Sequence, residues 1–379
     1  MSQTNETAFF DEVPEILSHF AVRGRIEAVS EIKVGHINRT YRVSCKDDSG
    51  VMTHYILQWI NSHVFPKVPE VMENIVAVTA HIRKKLEAAG KDAHRGTLNV
   101  IPLKDGTYYY SDENDGKWRV FEFISNARTY MLCTSPALFE SVGHAFGEFQ
   151  YQLSDFEASS LHVTIEDFHN TPKRYLRFLE AVEKDVCGRA KDVQDEIEFV
   201  KARADRYSCI VDKLDDGSLP LRVTHNDTKL NNVMIDDTTG EAICVIDLDT
   251  VMPGSSLYDF GDAIRFGASS ADEDEKDLSR VFVKMDLYEA FTRGFLSALN
   301  GALSDTEVRM FPDGTWMMTA EVGMRFLTDY LEGDTYFHTT HPEHNLERAR
   351  TQIALVLENE QKEARIRDMI RRVETEAGL

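Results

Sequence analysis

The chain has 379 residues, of which 42% are hydrophobic, enough for an enzyme of about two domains. A net charge of −22, from 64 acidic residues against 42 lysines and arginines, argues against nucleic-acid binding and against adsorption to an anionic membrane. The five cysteines are scattered and show neither a disulfide framework nor a Cys-x-x-Cys zinc spacing. The first residues printed lack a basic stretch followed by an apolar core, and no apolar run is long enough to span a membrane, so we expect a cytoplasmic protein; no obligate protein partner is evident.

The first third of the chain is typical of a small antiparallel sheet with one long helix. Helical spacing covers 9–20 and 72–86, where apolar residues recur every three to four positions. Short alternating or apolar runs between polar turns predict strands at 26–34, 40–44, 53–59, 98–103, 107–110 and 118–124. This N-terminal lobe is expected to span 1–124, with a joint at 125–129.

The rest of the chain, 125–379, is expected to form a larger, mostly helical lobe. Ser135-Pro136 is a good start for a helix that would run to about 156. Further helices are predicted at 172–184, 193–215, 284–299, 315–332 and 345–376. The acidic run 272–277 is expected to be a solvated loop or a helix start. The predicted fold class is therefore α+β, with two lobes.

A hairpin inside the second lobe holds the most informative motif. The apolar run 221–224 leads into a loop with Asp227 and Asn232, the strands 233–235 and 242–246 follow, and Asp247 ends the second strand. Phosphoryl transfer needs a carboxylate that receives a hydroxyl proton and oxygen ligands that hold a metal on the phosphates. Asp227 fits the first role, whereas Asn232 and Asp247 fit the second, with Mg²⁺ as the natural cation.

A simpler interpretation treats these residues as turn formers and solvated charges. We favour that interpretation for any single acid, but three polar residues at these spacings, each at the end of an apolar strand, favour a bilobal, protein-kinase-like enzyme. Such an enzyme also needs a turn over the phosphates of ATP. Gly35, His36, Asn38 and Thr40 lie in a turn between the first two strands, which a plain hairpin would also explain.

The last strand of the first lobe would offer adenine its backbone groups, around Glu122 and Ile124. As side chains, these residues are equally explained as part of a core. With the phosphate turn, they define 1–124 as the predicted nucleotide-binding lobe. The remainder, 125–379, then becomes the predicted catalytic and acceptor-binding lobe.

These motifs resemble the aminoglycoside phosphotransferase and choline kinase superfamily, and the resemblance spans the whole chain. It rests on the loop from His225 to Asn232, on Ile246-Asp247 and on Asp259-Phe-Gly-Asp262. Within the superfamily, Gly35-His-Ile-Asn38, Tyr55-Ile-Leu-Gln58 and the segment 323–334 are similar to the N-acetylhexosamine 1-kinase subgroup. That similarity implies ATP-dependent phosphorylation of the anomeric hydroxyl of N-acetylglucosamine or N-acetylgalactosamine, in salvage of sugars released from glycans.

The resemblance also assigns residues. It gives the catalytic base to Asp227 and the magnesium ligands to Asn232 and Asp247. It further implies that Arg325 and Tyr336 hold the sugar, that His36 and Phe266 close its pocket, and that Asp227 touches the reacting hydroxyl. From the residues alone, Arg325 is either a ligand group or half of an ion pair with an acid such as Asp329, because it lies in an apolar helix. Tyr336 and Phe266 would by default be core aromatics.

The chain departs from the superfamily at Gln58, where a strand lysine usually meets the nucleotide phosphates. A neutral amide donates a hydrogen bond but supplies no charge and no ion pair to the following helix. The N-acetylhexosamine 1-kinases share this glutamine. Lys229 is the alternative cation near the transferring phosphoryl group, or else an exposed loop lysine.

Two other hypotheses remain. A different small-molecule kinase, for an aminoglycoside, choline, homoserine or a methylthiopentose, would share every catalytic residue. Aminoglycosides and choline are cationic, however, so an arginine facing the substrate counts against them. A nucleotide-binding pseudokinase would explain Gln58 but has no need of Asp227, Asn232 and Asp247 together.

Overall fold

The computed structural model describes residues 12–33 and 37–378, which divide into two compact units. The N-terminal unit contains Met1–Ala127, Leu161–Ile165 and Cys244–Val251. The C-terminal unit contains Arg128–Ser160, Glu166–Ile243 and Met252–Leu379. The division describes packing alone and leaves the functions assigned to 1–124 and 125–379 as predictions.

The N-terminal unit is built on an antiparallel sheet, ordered β1-β2-β3-β6-β4, with β5 paired to β6. Its strands are β1 Arg25–Ile32, β2 Arg39–Lys46, β3 Met52–Ile60, β4 Val100–Ile101, β5 Tyr110–Ser111 and β6 Lys117–Glu122. The register places Gln58 of β3 opposite Thr40 on one side and Arg119 on the other. Each predicted strand is present, although those at 98–103 and 107–110 shrink to two residues each.

Alternation along β2 and β3 turns one face of the sheet toward a core. Tyr41, Val43 and Cys45 are buried on β2, and Tyr55 and Leu57 on β3. A helix at 12–18, α1, packs Val13, Ile16 and Leu17 into the same cluster, as its apolar spacing predicted. Residues 9–11 of that predicted helix and Val34 of the first predicted strand lie outside the described residues.

The remaining helices of the N-terminal unit are α2 Val68–Ala88 and the short α3 Ala93–Gly96. The prediction of a helix at 72–86 is confirmed, and α2 begins four residues earlier because Pro69 is suited to a first helical turn. Its buried stripe includes Val71, Met72, Ile75 and Val78. This stripe brings Met72 into contact with Arg119 of β6.

The C-terminal unit is mostly helical, which confirms the predicted α+β fold class. Its helices are α4 Pro136–Gln152, α5 Thr171–Lys184, α6 Gln194–Lys201, α7 Val211–Asp215, α8 Ser256–Gly267, α9 Met285–Leu299, α10 Asp305–Arg309, α11 Phe311–Glu332 and α12 His344–Ala377. Ser135 caps α4 by accepting the Leu138 N–H, as predicted. Gly147 lets α9 pack closely on α4, since a Cβ there would lie 2.3 Å from the Phe295 carbonyl oxygen.

Five short strands carry the predicted hairpin. They are β7 Ala127–Arg128, β8 Arg222–Thr224, β9 Val233–Asp236, β10 Ala242–Val245 and β11 Met252–Gly254. One sheet has the order β10-β9-β7, and β8 pairs antiparallel with β11. The predicted strands around the loop and the hairpin of β9 with β10 are therefore confirmed. The boundary between the units falls within β10, so Asp247 belongs to the N-terminal unit.

Two helix predictions need correction. The single helix predicted at 193–215 is broken into α6, a 3₁₀ turn and α7, because side chains take the carbonyls at the end of α6. Arg203 donates to the Phe199 carbonyl and Tyr207 to the Val200 carbonyl. Helix α8 was not predicted, although Asp259, Asp262 and Arg265 recur at every third position; its first ten residues are all buried.

Candidate active site

Two acidic residues of α8, Asp259 and Asp262, hold the loop that follows β8 by accepting hydrogen bonds from its backbone. Asp259, only 1% exposed, accepts the backbone N–H groups of His225 at 2.9 Å and Asn226 at 2.8 Å. Gln150 donates to the same carboxylate at 2.7 Å. Burial raises the pKa of Asp259, against the opposing effects of His225 and these hydrogen bonds. The carboxylate thus fixes the start of the loop, where Asn226 adopts a left-handed φ of 65°.

The second acid, Asp262, holds the middle of the loop. It accepts the Thr228 N–H at 3.1 Å, and its own partner is Arg265, at 2.9 Å. The Thr228 hydroxyl donates to the Asp259 carbonyl at 2.6 Å. Asp259-Phe-Gly-Asp262, noted in the sequence only for its resemblance, is therefore the platform on which the loop rests.

Asp227, Lys229 and Asn232 come together on this platform. The Lys229 ammonium lies 2.7 Å from one Asp227 oxygen, and the Asn232 amide donates to the other at 3.0 Å and to the Asp227 carbonyl at 2.8 Å. The Asp227 side chain is 29% exposed, so it is held in place yet open to solvent. Lys229 is therefore held in an ion pair with Asp227 and is not a solvent-exposed loop lysine without a partner.

The charges of this cluster favour ionised forms. Burial acts to raise the pKa of Asp227, but the charge and hydrogen bond of Lys229, with His225 and Asn232, outweigh it and lower the pKa. Burial acts to lower the pKa of Lys229, and Asp227 and Asp262 outweigh it and raise the pKa. At neutral pH the cluster is therefore a carboxylate beside an ammonium.

The donor chemistry of Asn232 suits a hard cation. Its amide nitrogen is used by Asp227, so its side-chain oxygen is the atom left to face a ligand. An amide oxygen with a carboxylate is the type of ligand set that magnesium takes. Asp247, the other predicted ligand, has a left-handed backbone with φ 61° and ψ 58°. Asp247 belongs to the N-terminal unit and Asn232 to the C-terminal unit. That both residues bind the same metal ion therefore stays a prediction.

The turn after Asp247 is tied to the N-terminal sheet. The Asp249 carboxylate, 3% exposed, receives the Arg119 guanidinium through both oxygens, with the second contact at 2.9 Å. Arg119 also donates to the Gln58 side-chain oxygen at 2.9 Å, and the Gln58 amide donates to the Thr40 hydroxyl at 2.9 Å. Gln58 is thus engaged by an arginine from the neighbouring strand.

The other predicted nucleotide residues are placed as follows. Asn38 donates to Asp249 at 2.5 Å, whereas Gly35 and His36 lie outside the described residues. Glu122 accepts from Asn99 through its side chain, and its N–H donates to the Asn99 carbonyl at 2.9 Å. Ile124 is buried. A hydrogen bond from the Glu122 N–H to adenine would therefore have to replace an existing one.

Arg325 and Tyr336 share a small pocket of the C-terminal unit. The Arg325 guanidinium lies 5.8 Å from the Tyr336 ring, 5.6 Å from Phe168 and 5.5 Å from Phe337. Within the described chain it forms no ion pair, and Asp329 is engaged elsewhere: this carboxylate accepts the backbone N–H groups of residues 335–337. The charge of Arg325 also acts on the buried Glu321, and a role of Arg325 in binding a ligand stays a prediction.

A second arginine adds to the positive charge of this pocket. Burial, and then the charge of Arg325, lower the pKa of Arg174 to about 10. Arg174 donates to the Phe168 carbonyl at 2.8 Å, while Arg177 is paired with Glu332 at 2.6 Å. Phe266 is half-buried on α8, and its closing of the sugar pocket stays a prediction.

One comparison decides the family. The pattern of the phosphotransferase enzyme family, which includes the aminoglycoside phosphotransferases, matches residues 28–286, more than half of the chain. The chain belongs to this family. It is therefore a phosphotransferase.

Solved structures show the same fold at low sequence identity. A microcompartment-associated aminopropanol kinase matches with a TM-score of 0.56 and 15% identity, covering 94% of this chain and 98% of its own. An amicoumacin kinase in complex with AMP-PNP, Ca²⁺ and Ami matches with a TM-score of 0.56 and 13% identity, covering 93% of this chain and 96% of its own. Choline kinase from Cryptosporidium parvum Iowa II matches with a TM-score of 0.52 and 15% identity, covering 96% of this chain and 97% of its own. Across the described part of the phosphotransferase, no helix has both the length and the apolar character needed to span a membrane.

Sequence reasoning missed four residues that shape the two halves of this phosphotransferase. Arg119 and Asp249 were overlooked because their pairing spans 130 positions. A charged residue inside a strand of otherwise buried residues was the available signal for Arg119. Arg174 gave no comparable signal, because it is one of several charged residues on the amphipathic helix α5, whereas Glu321, an acid in the mostly buried helix α11, carried a signal that was overlooked.

Proposed function

We propose that this phosphotransferase transfers the terminal phosphoryl group of ATP to the anomeric hydroxyl of an N-acetylhexosamine, giving a sugar 1-phosphate and ADP. The observation that carries the proposal is the environment of Arg325. A guanidinium surrounded by three aromatic rings, with a second arginine nearby, offers hydrogen-bond donors and ring faces to a neutral, hydroxyl-rich acceptor. The motif similarity to the N-acetylhexosamine 1-kinases supports the same substrate class.

In this proposal Arg325 and Tyr336 hold the sugar, and His36 and Phe266 close its pocket. Tyr336 is 58% exposed and its backbone is fixed by Asp329, so its ring is available at the pocket mouth. The Arg325 guanidinium keeps its five N–H donors for sugar oxygens. Glu321 below the pocket is fully buried and ionised, and it balances the two arginines without pairing with either.

Asp227 would orient the C1 hydroxyl and accept its proton. An anomeric hydroxyl is more acidic than an ordinary alcohol, so a carboxylate of low pKa suffices when the proton leaves late in the transfer. Lys229, paired with Asp227 at 2.7 Å, would place positive charge beside the transferring group. Most of the rate would come from positioning and from this charge arrangement.

Asn232 and Asp247 would hold Mg²⁺, whose charge, when bound, neutralises the phosphate oxygens of ATP. The amicoumacin kinase complex contains a nucleotide analogue with a divalent cation, which agrees with metal-dependent ATP use in this family. In the proposal Gly35, His36, Asn38, Thr40 and Gln58 face the phosphates, and the strand end at Glu122 and Ile124 faces adenine. Residues 1–124 are then the nucleotide-binding lobe.

Kinases for cationic acceptors are the second candidate class, since choline kinase and an aminopropanol kinase share the fold. Arg174 and Arg325 count against an ammonium acceptor, whereas Asp329 and Glu332, which line the same pocket, and the buried Glu321 reduce that effect. Homoserine and methylthiopentose kinases are not separated by charge in the same way. Measured turnover with homoserine and with a methylthiopentose distinguishes these two classes from an N-acetylhexosamine kinase.

The test is ATP consumption with magnesium across N-acetylglucosamine, N-acetylgalactosamine, glucose, galactose, a methylthiopentose, homoserine, choline and kanamycin. Phosphorus NMR identifies the phosphorylated position. We expect the fastest turnover with the N-acetylated sugars and phosphate on C1. Faster turnover of another acceptor would overturn the proposed substrate, and ATP binding without any turnover would favour a pseudokinase.

A further inference from the structure

We propose that Arg119 and Asp249 are positioning residues for the metal-binding turn. Their buried ion pair holds the turn that carries Asp247. The inference rests on the proposed function, because it takes Asp247 as a ligand of the cation that accompanies ATP.

The first argument is that Arg119 is buried and that four of its five N–H donors are engaged by protein groups. Its guanidinium is committed to both Asp249 oxygens, to Gln58 and to the Met72 sulfur, and the residue is 1% exposed. A planar fork that meets a carboxylate through two parallel N–H donors fixes orientation as well as distance. The arginine therefore acts on the turn and not directly on a nucleotide.

The second argument is that the pair is the centre of a hydrogen-bond chain through the predicted nucleotide site. Asn38 donates to Asp249 at 2.5 Å and accepts the Asn61 N–H at 3.0 Å. On the other side, Arg119 orients Gln58, whose amide reaches Thr40 at 2.9 Å. Because arginine only donates, the Gln58 oxygen must face it, and the amide N–H groups face away. Three predicted phosphate-facing residues are thus tied to Asp249.

The third argument is the backbone at Asp247. Its left-handed conformation is uncommon for a residue with a side chain and needs support from its surroundings. A 3₁₀ turn at Leu248–Thr250 follows at once, and Asp249 lies inside it. Beyond the turn, Asn74 of α2 donates to the Val251 carbonyl at 2.9 Å. The turn is therefore held at two points two residues apart, which restricts where the Asp247 carboxylate points.

The experiment measures ADP binding by calorimetry, once with Mg²⁺ and once with EDTA, in full-length wild type, Asp249→Asn and Arg119→Lys. The ratio of the two affinities isolates the contribution of the metal. We expect both variants to lose about tenfold or more of the magnesium-dependent gain, as is usual when the support of a metal ligand is removed, with magnesium-free ADP affinity within about twofold of wild type. Lysine keeps the charge but not the fork, so Arg119→Lys tests geometry.

Arg203→Lys is the matched control, since Arg203 makes a similar two-point ion pair with Glu360 at 2.7 Å within the C-terminal unit. It should leave the ratio unchanged. An unchanged ratio in folded Asp249→Asn and Arg119→Lys proteins would overturn the inference and leave the pair as fold support alone. If neither variant folds, Asn74→Ala decides in the same way: a reduced ratio supports the inference and a wild-type ratio overturns it. Absence of a magnesium-dependent gain in wild type would instead contradict the proposed function.

Discussion

At the scale of single residues, the candidate site depends on charges held at hydrogen-bond distance. Asp227 keeps one oxygen on Lys229 and the other on Asn232, so its carboxylate cannot rotate freely. A fixed carboxylate of lowered pKa is suited to receive a proton from a hydroxyl placed against it. This arrangement predicts a large effect on turnover and a small effect on binding.

Replacing Asp227 with asparagine should lower kcat by about 100- to 10,000-fold, the usual contribution of a general base. The side chain keeps its size, so nucleotide affinity should stay within about threefold of wild type. Steady-state kinetics and ADP calorimetry measure the two quantities. Asp48→Asn, at an exposed turn, is the control and should match wild type. A parallel loss of ADP binding in Asp227→Asn would indicate a metal-binding or structural role.

Arg325→Gln should raise KM for the acceptor by about 10- to 100-fold, because hydrogen bonds from a charged group are lost. KM for ATP should change little. Initial-rate kinetics with each substrate varied in turn separates the two effects. The exposed Arg365→Gln variant controls for the loss of one positive charge. Should the acceptor KM stay at its wild-type value, Arg325 does not contact the acceptor.

At the scale of elements, one buried helix organises the catalytic loop. Helix α8 presents Asp259 and Asp262 to four groups between His225 and Thr228. Gly261, between the two acids, lies against α11, where a Cβ would meet the Gly314 carbonyl oxygen at 2.3 Å. The loop therefore inherits its position from a helix that is itself fixed in the core.

Asp259→Asn should disturb the loop although it removes a buried charge. One of the two carboxylate oxygens becomes an amino group, so one backbone N–H of the loop loses its acceptor, at a cost of about 1–3 kcal/mol. We expect a fall of that size in the free energy of unfolding and a fall in kcat of tenfold or more. Urea denaturation and kinetics test this together, with the exposed Asp205→Asn as control. Wild-type kcat in the folded variant would show that the loop is held by other contacts.

At the scale of the whole molecule, the excess of 22 negative charges is offset locally where the acceptor would bind. The buried carboxylate that interacts with the arginines of that pocket is Glu321. It accepts hydrogen bonds from the His169 ring at 2.9 Å and from the Thr171 hydroxyl at 2.6 Å. Burial acts to raise its pKa, but His169, Arg174 and Arg325 outweigh it and lower the pKa to about 2. A carboxylate whose pKa is depressed on folding makes stability depend on pH.

Because folding lowers the pKa of Glu321, the free energy of unfolding should decrease as the pH falls. The contribution of Glu321 is complete above its unfolded pKa of about 4.5 and is lost as pH falls from there toward about 2, an order of 3 kcal/mol in total. Urea denaturation between pH 3 and pH 7 should therefore show a shallower pH dependence for Glu321→Gln than for wild type. The exposed Glu183→Gln variant should retain the wild-type slope. Equal slopes for wild type and Glu321→Gln would show that the buried carboxylate does not keep its charge in the native state.

The sequence by itself determined what is local. The period-two strands, the amphipathic helices and the hairpin of β9 with β10 are encoded within a few neighbouring residues, and so is the grouping of Asp227, Lys229 and Asn232, which a single short loop carries. Family membership could be anticipated for the same reason, since its motifs are short and continuous. Helix α8 was missed although Asp259, Asp262 and Arg265 recur at helical spacing; these residues are buried, so they form no solvent-exposed face.

Only the tertiary structure decided which distant charges meet. The residues next to Arg119 in the chain do not indicate that its partner is Asp249. The residues next to Arg325 likewise do not indicate that its guanidinium lies among three aromatic rings, without an ion pair to a described carboxylate. A charge inside a protein needs compensation, but the chain supplies 64 acids, and only folding selects the one that pairs. The chemistry of the loop was therefore legible in the sequence, whereas the supports that aim it depend on the packed fold.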